Sequence, residues 1–177
     1  MKKFVYISII TLLYSFGVKC NIFAQQVYSF KSERAHLSFE YPSTYKKIKM
    51  TAAPHMLIHL DNGKEEYVVS CWELGIDESV DAWDELYFQN LEHNAKKAKT
   101  GPKLLSCKKT TLSLKEKTIR ASELIHSRDS GIATMYVITY QFFWKGNMIQ
   151  IMYTNKGDFN QKSKKGEDII KSIQLQN

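Results

Sequence analysis

Histidine and cysteine are the residue types in this chain that most readily support metal binding or nucleophilic catalysis. His55 and His59 are four positions apart, a spacing that places both side chains on one face of a helix. Pro54 and the apolar Met-Leu-Ile between the histidines indicate a strand instead, where this spacing separates the side chains by about 13 Å. Because that is too far for one metal ion, we interpret them as two strand histidines near the surface.

Cys71 and Cys107 are the two cysteines that follow the N-terminal region. In an oxidising compartment they can form a disulfide that closes a loop of about 36 residues and stabilises the fold by a few kcal/mol. Both also lie in apolar, strand-like segments, where buried free thiols are common, and the two strands need not be neighbours. The sequence leaves both alternatives open. Because no Cys-x-x-Cys or His-x-His spacing occurs, we predict neither a zinc site nor any other cofactor.

Motifs for hydrolysis or nucleotide binding are missing from the sequence. There is no Gly-x-Ser-x-Gly and no glycine pattern at phosphate-binding spacing. Neighbouring carboxylates occur at Glu65-Glu66 and at Asp81 with Asp84-Glu85, where a solvated strand end and a helix start explain them. We therefore assign no catalytic residue and favour a protein that is not an enzyme over an enzyme whose site is assembled from residues distant in sequence.

A basic segment between positions 96 and 117 is the most conspicuous candidate binding feature. It contains Lys115, Lys117 and the six candidate partner-binding lysines, with Glu116 as its one acid: Lys96, Lys97, Lys99, Lys103, Lys108 and Lys109. Such a concentration of charge can attract an acidic envelope protein or an anionic surface. The alternative is a solvated helix end followed by an edge strand that lysines protect from aggregation.

The N-terminus has the three-part pattern of a secretory signal sequence. Lys2 and Lys3 precede the apolar run 4–18, and cleavage is predicted after Ala24. The apolar run is shorter than the roughly 20 residues that a membrane span needs. A lipoprotein attached through Cys20 is less favoured, because a lysine directly precedes this cysteine.

The predicted export and the net charge limit the possible location and partners of the mature chain. Loss of residues 1–24 removes three lysines, which leaves 22 basic and 18 acidic residues and lowers the net charge from +7 to +4. This mild excess does not indicate nucleic acid as a partner. We expect a periplasmic or secreted protein without a transmembrane span, in which residues 25–177 form a single domain.

The hydrophobic periodicity predicts mostly strands with two helices. The predicted strands are 27–32, 36–41, 56–60, 65–74, 103–113, 117–127, 133–145 and 147–154, and a helical turn is expected at 45–49. A long helix over 79–99 is capped by Asp77 or Ser79, and a final helix begins at Asp158, with a break allowed at Gly166.

The hairpin formed by strands 133–145 and 147–154 indicates how these elements pack. Apolar residues occur on both of its faces, with Tyr140 and Phe142 on one and Val137 and Phe143 on the other. A sheet with one solvated face would instead alternate cleanly between apolar and polar residues. The sequence therefore predicts an α+β fold, an α/β/α sandwich around a mainly antiparallel sheet with one helix on each face.

Three short motifs resemble those of the PsbP-like superfamily, which includes the photosystem P subunit and exported bacterial proteins of the DcrB type. Phe39-Glu40-Tyr41-Pro42-Ser43 is similar to the strand end that opens this fold, and Asp81-Ala82-Trp83 is similar to its helix start. The segment 170–175 is similar to its closing segment, and the order of elements also matches. The resemblance implies the sandwich fold and an accessory or binding role in the cell envelope, without shared catalytic residues.

Three functions remain open from the sequence. The first is an exported, non-enzymatic accessory or binding protein of the envelope. The second is a module that holds an apolar ligand between the aromatic-rich sheet and a helix, for which a large dry pocket is diagnostic. The third is an enzyme, which requires ionisable groups that converge in a pocket.

Overall fold

The computed structural model describes residues 26–49, 53–75, 80–97, 102–129, 134–156 and 164–177. The predicted signal sequence and its cleavage site lie outside these ranges. The described residues form ten strands and two helices: β1 (Val27–Ser32), β2 (Leu37–Pro42), β3 (Lys46–Lys47), β4 (Met56–Asp61), β5 (Glu65–Glu73), α1 (Glu85–Lys97), β6 (Lys103–Ser113), β7 (Thr118–Asp129), β8 (Thr134–Trp144), β9 (Asn147–Asn155), α2 (Lys164–Lys171) and β10 (Gln174–Leu175).

The strands form one large and one small sheet, and every pairing is antiparallel. The large sheet has the order β3-β4-β5-β9-β8-β7-β6, and the small sheet has the order β1-β2-β10. Strand β6 is therefore an edge of the large sheet, and β8 and β9 lie near its middle. This arrangement confirms the predicted α+β class with a mainly antiparallel sheet.

Two tight turns set the register of the central strands. Asn62 Oδ1 accepts hydrogen bonds from the backbone N–H groups of Lys64 and Glu65 at 2.9 and 2.7 Å, and Gly63 has a φ of 87°. Lys145 and Gly146 join β8 to β9 with φ values of 48° and 70°, which are typical of the hairpin turns that match strand twist. Both turns follow from the Asn-Gly and Lys-Gly pairs in the sequence.

The core lies between one face of the large sheet and a layer made of α2 and the small sheet. Alternate residues of the central strands point into it, including Tyr140, Phe142, Ile149 and Ile151, all of them 1% exposed or less. Phe39 in β2 belongs to the same buried cluster. The second layer thus contains a sheet as well as the predicted helix, because β1 pairs with β2 and β2 pairs with β10 instead of joining the large sheet.

Helix α1 lies against the opposite face of the large sheet, and it begins later than predicted. Asp84 Oδ1 accepts the backbone N–H of Tyr87 at 3.0 Å, so Asp84 is the N-cap of the helix, and the expected caps Asp77 and Ser79 lie outside the described residues. The preceding residues form a turn in which Asp81 Oδ1 accepts the N–H of Trp83 at 2.6 Å. Neither described helix is long and apolar enough to cross a bilayer.

Two further boundary predictions differ from the structure. The expected helical turn at 45–49 is replaced by β3, which pairs with the end of β4 through Lys46 and Asp61. Gly166 lies within α2 and does not interrupt it, while the predicted start of that helix at Asp158 lies outside the described residues. The closing residues leave the helix after Lys171 and add β10 to the small sheet.

Candidate functional site

A cleft opens between the C-terminal half of α1 and the large sheet, and we call it the α1 cleft. Its volume is about 300 Å³, which is at the lower end of the range for small-molecule sites. The lining comes from α1, the residue before β6 and the three strands β7, β8 and β9: Ala95, Pro102, His126, Val137, Thr139, Gln150 and Met152.

The strand register brings these lining residues together on one face. Val137 pairs with His126 on one side, and Thr139 pairs with Met152 on the other. Side chains along a strand alternate between the two faces, so Ile138 and Tyr140 point into the core while Val137 and Thr139 face α1. The apolar residues seen on both faces of the hairpin are thereby explained, because one set packs in the core and the other forms the floor of the cleft.

The N-terminal half of α1 is attached to the sheet by several specific contacts. The indole N–H of Trp83 donates to the carbonyl oxygens of Thr110 and Ala121 at 2.9 and 3.1 Å. The Tyr87 hydroxyl donates to Gln141 Oε1 at 2.8 Å, and its ring packs edge-on against Phe143 with centroids 4.8 Å apart. None of the residues of α1 is fully buried, and its second half leaves the cleft open.

The one titratable side chain in the lining, His126, is uncharged at neutral pH, and so are the nearby Cys107 and Tyr87. Burial lowers the pKa of His126 below its ordinary value of 6.5, which keeps the imidazole neutral. Burial also raises the pKa of the Cys107 thiol and raises the pKa of Tyr87 to about 12. The cleft is therefore an apolar site with hydroxyl, amide and imidazole groups available for hydrogen bonds.

The basic segment is divided between several surfaces and does not form one continuous patch. Lys108 pairs with Glu123 on the core side of β6 at 2.9 Å, whereas Lys109 pairs with Glu85 of α1 at 2.7 Å on the other side. Adjacent residues of a strand point to opposite faces, which explains the split. These ion pairs on the edge strand β6 are compatible with the second interpretation of the segment, in which lysines protect a sheet edge from aggregation.

The remaining candidate lysines lie near the α1 cleft or outside the described residues. Lys96 pairs with Glu92 one turn earlier at 2.7 Å. Lys97 and Lys103 are exposed, and neither forms an ion pair with any residue that the structure describes. Lys99 lies outside the described residues. The partner-binding role of all six lysines stays a prediction.

The two cysteines are far apart and both thiols are free. Cys71 lies on β5 and Cys107 on β6, and β9, β8 and β7 separate them in the sheet. Four strand spacings correspond to about 19 Å, so an intramolecular disulfide would require the sheet to be rebuilt. The structure thus corresponds to the free-thiol alternative, and the pairing alternative is wrong.

The two histidines have separate partners. His55 stacks on the Trp72 ring with centroids 4.7 Å apart, while His59 Nε2 lies 2.6 Å from Glu66 Oε1. Across the described part of the chain, no group of three or more histidine, cysteine or acidic residues is arranged to hold a metal ion.

A buried cluster of one carboxylate and three tyrosines corrects the interpretation of Glu65 as part of a solvated strand end, because this residue is only 6% exposed. Glu65 accepts hydrogen bonds from the hydroxyls of Tyr45 and Tyr153 at 2.5 and 2.9 Å. Tyr67 lies between these two rings, with centroid distances of 5.9 and 4.9 Å. Burial raises the pKa of both Tyr45 and Tyr67 well above the ordinary value. A glutamate at an inward position of a strand is the signal for such a cluster, because a buried carboxylate needs donors.

Sequence comparisons identify no relative. No protein-family model matches the chain, and no curated protein matches it in sequence.

Comparison with solved structures identifies the fold. The chain is similar to the solution structure of cyanobacterial PsbP (CyanoP) from Synechocystis, with a TM-score of 0.57 and 12% identity over 91% of this chain and 99% of that one. It is also similar to a crystal structure from Bacteroides thetaiotaomicron, with a TM-score of 0.53 and 12% identity over 84% of this chain. The chain spans 48% of the length of the Bacteroides protein. The PsbP-like fold that the sequence motifs predict is thereby confirmed.

Proposed function

We propose that this chain with a PsbP-like fold is an exported, non-enzymatic binding protein of the cell envelope, and that it binds an apolar group in the α1 cleft. The observation that carries the proposal is the cleft itself, whose lining includes Val137 and Met152 of the sheet and Ala95 of the helix. Among the functions left open by the sequence, such a pocket favours the ligand-binding module.

The chemistry of the lining supports binding rather than catalysis. Acid–base catalysis needs a positioned group with a pKa near the working pH, usually together with a second polar group that activates or orients it. His126 is the one titratable side chain among the seven that line the cleft, and its pKa is lowered by burial. The neighbouring Cys107 thiol is kept protonated by a raised pKa, which makes it a poor nucleophile.

Export is proposed from the N-terminal residues alone. Lys2 and Lys3, the apolar run 4–18 and Ala24 form the pattern of a cleaved signal sequence. Intact-mass measurement of the protein purified from its expressing cell tests this part. We expect a chain that begins at Gln25, and an unprocessed or lipid-modified N-terminus would contradict it.

Binding is tested with a neutral apolar dye whose fluorescence increases in a dry site, added to the full-length gene product as the cell processes it. Ala95→Phe fills the cleft from the helix side, and we expect it to weaken dye binding at least tenfold. Asn94→Phe adds the same ring on the exposed side of α1 and is the matched control. Circular dichroism establishes that both variants are folded. If the folded wild-type protein does not bind the dye, or if both variants bind it equally, the proposal is wrong.

A further inference from the structure

Resting on the proposed binding function, we infer that the ligand of the α1 cleft is an uncharged small molecule with an apolar body and a hydrogen-bonding group, such as a hydroxyl, that contacts Thr139. The apolar body lies on Val137 and Met152. The polar group meets the neutral polar side chains of the sheet that forms the floor of the cleft. The arrangement of the floor, its unused hydrogen-bonding groups and the lack of charge among the lining residues each contribute to this assignment.

The floor of the cleft alternates polar and apolar side chains across three neighbouring strands. His126 lies on β7, Thr139 on β8 and Gln150 on β9. Val137 stands opposite His126, and Met152 stands opposite Thr139, so each polar residue is diagonal to the next at about 7–8 Å. The cleft volume of about 300 Å³ suits one small molecule. A ligand that covers this floor therefore meets apolar and polar surface at the same time.

Thr139 provides the polar group that a ligand must satisfy. It lines the cleft and is only 5% exposed, yet its hydroxyl forms no hydrogen bond with any residue that the structure describes. Among the described residues only the Tyr67 hydroxyl is both fully enclosed and unpaired, so the Thr139 hydroxyl is accessible from the cleft that it lines. The Gln150 amide and the His126 imidazole are likewise unpaired within the described part of the chain.

These unpaired groups favour a ligand that carries a polar atom of its own. Water can satisfy them in an open cleft, but a bound ligand displaces that water. A buried polar group without a partner is costly. A pure hydrocarbon therefore fits this floor less well than a molecule with a hydroxyl or carbonyl group.

The lining offers hydrogen bonds without charge. A threonine hydroxyl and a glutamine amide can each donate and accept. Burial lowers the pKa of His126, so its imidazole presents one donor and one acceptor at neutral pH. No lysine, arginine or acidic residue belongs to the lining. Transfer of an ionised group to such surroundings is costly without an opposite charge, and an uncharged polar group is therefore favoured over a carboxylate or an ammonium.

The charged residues adjacent in sequence to the lining do not supply that opposite charge. Glu92 and Lys96 of α1 pair with each other at 2.7 Å. Lys97 lies two positions after the helix residue of the lining, which places it on the opposite side of α1. Lys103 pairs with Ser127 in the strand register, so its side chain lies on the sheet face away from the cleft. These four charged residues thus favour neither an anionic nor a cationic ligand.

The test of the ligand class is displacement of the neutral dye at neutral pH by three amphiphiles with the same chain: octan-1-ol, octanoate and octylammonium, each below its solubility or micellar limit. We expect octan-1-ol to bind at least tenfold more tightly than either ion, because both ions would lose solvation without gaining an opposite charge. If either ion binds as tightly as octan-1-ol, the assignment of an uncharged ligand is wrong and the cleft remains a binding site. If the dye itself does not bind, the proposed function fails as well.

Substitution of Thr139 tests the contact with the polar group. Thr139→Val keeps the shape of the side chain and removes the hydroxyl. We expect its affinity for octan-1-ol to fall at least threefold, while the apolar dye binds equally or more tightly because an unpaired hydroxyl is no longer buried beneath it. A variant with a damaged cleft would instead lose affinity for both probes.

Thr154→Val is the matched control. Thr154 is buried to a similar degree and stands opposite Val137 on the same sheet face, but it does not belong to the lining. It should change the affinity for neither probe, and circular dichroism establishes that both variants are folded. If Thr139→Val leaves octan-1-ol binding unchanged, or weakens binding of both probes alike, the Thr139 hydroxyl does not recognise the ligand and the inference is wrong.

Discussion

The hydroxyl of Tyr67 lies directly against the Cα of Gly166, so that no side chain fits between β5 and α2 at this point. A Cβ atom added at Gly166 would overlap Tyr67 Oη and would lie 3.1 Å from Cε2 of Tyr153. Both rings are buried and cannot move aside. Glycine is thus needed here for close approach of a helix to a sheet, and not to interrupt the helix as the sequence suggested.

We predict that Gly166→Ala lowers the free energy of unfolding by up to about 2 kcal/mol, because overpacking costs about 1–3 kcal/mol and helix propensity returns only about 1 kcal/mol. Asp168→Ala, at an exposed position of the same helix, is the control and should change stability by less than about 0.5 kcal/mol. Urea unfolding followed by circular dichroism measures both. Equal effects of the two substitutions would contradict the packing argument.

Tyr67→Phe should relieve this overlap. Within the described residues the Tyr67 hydroxyl is buried without a hydrogen-bond partner, so we expect its removal to leave stability unchanged or to raise it by up to about 1 kcal/mol. In the Tyr67→Phe background, Gly166→Ala should cost at least about 1 kcal/mol less than in the wild type, which a double-mutant cycle measures. Additive effects would show that the two sites are not coupled.

The sequence predicts those parts of the fold that depend on local residues. The strand alternation around Tyr140 is set by neighbouring positions and is confirmed, and the turn at Asn62-Gly63 likewise depends on its own two residues. The predicted start of α1 differs from the structure. The hydrophobic periodicity extends the helix over residues 81–84, but Asp81 and Asp84 accept backbone N–H groups there and form a turn before the helix begins. Side chains of this type compete with the helix for the same donors.

The candidate site depends on distances that no local pattern contains. In the sequence Lys108 and Lys109 belong to one basic segment. In the structure they lie on opposite faces of β6 and pair with Glu123 and Glu85, respectively. The cleft exists because α1 is attached near Trp83 and leaves a gap at its other end. Such a gap is a property of packing between elements, so the sequence supports the general idea of a ligand pocket without its location.

Alkaline unfolding should follow from the buried tyrosines. Burial raises the pKa of Tyr45, Tyr67 and Tyr140, and hydrogen bonds to Glu65 and Glu123 add to the effect for Tyr45 and Tyr140. The unfolded chain releases these protons near pH 10, at about the ordinary tyrosine pKa. The stabilisation is therefore complete below that pH and is lost as the pH rises through the folded pKa values.

We expect phenolate absorbance of these tyrosines to appear together with the loss of secondary structure above about pH 10. Simultaneous absorbance and circular dichroism titrations measure it. Tyr67→Phe should reduce the steepness of the stability loss, because one proton fewer is released on unfolding. A full tyrosine titration in a protein that keeps its native circular dichroism would contradict this prediction.

The loss of stability at acidic pH should depend on protonation of His126. Because burial lowers its pKa from 6.5, the unfolded state binds the proton first as the pH falls. Stability is thus complete above about pH 6.5 and declines below it. We expect His126→Gln to flatten the decline between about pH 6.5 and 5, whereas His93→Gln, at an exposed site on α1, should not. Urea unfolding at several pH values tests this, and equal slopes in both variants would contradict it.

The attachment of α1 should depend on Trp83. Its indole N–H is shared by the carbonyl oxygens of Thr110 and Ala121, which face each other across β6 and β7, and the Arg120 guanidinium lies 5.0 Å from the ring centre. Trp83→Phe keeps an aromatic ring but removes the donor, and we expect the free energy of unfolding to fall by about 1–3 kcal/mol.

Hydrogen exchange in the Trp83→Phe variant should accelerate mainly in α1, because the helix buries few residues and opens at low cost. Trp72→Phe, on β5 where the ring stacks on His55, is the control and should leave exchange in α1 unchanged. If α1 exchanges equally in both variants, the helix is held by contacts other than this indole, and the cleft beneath it does not depend on Trp83.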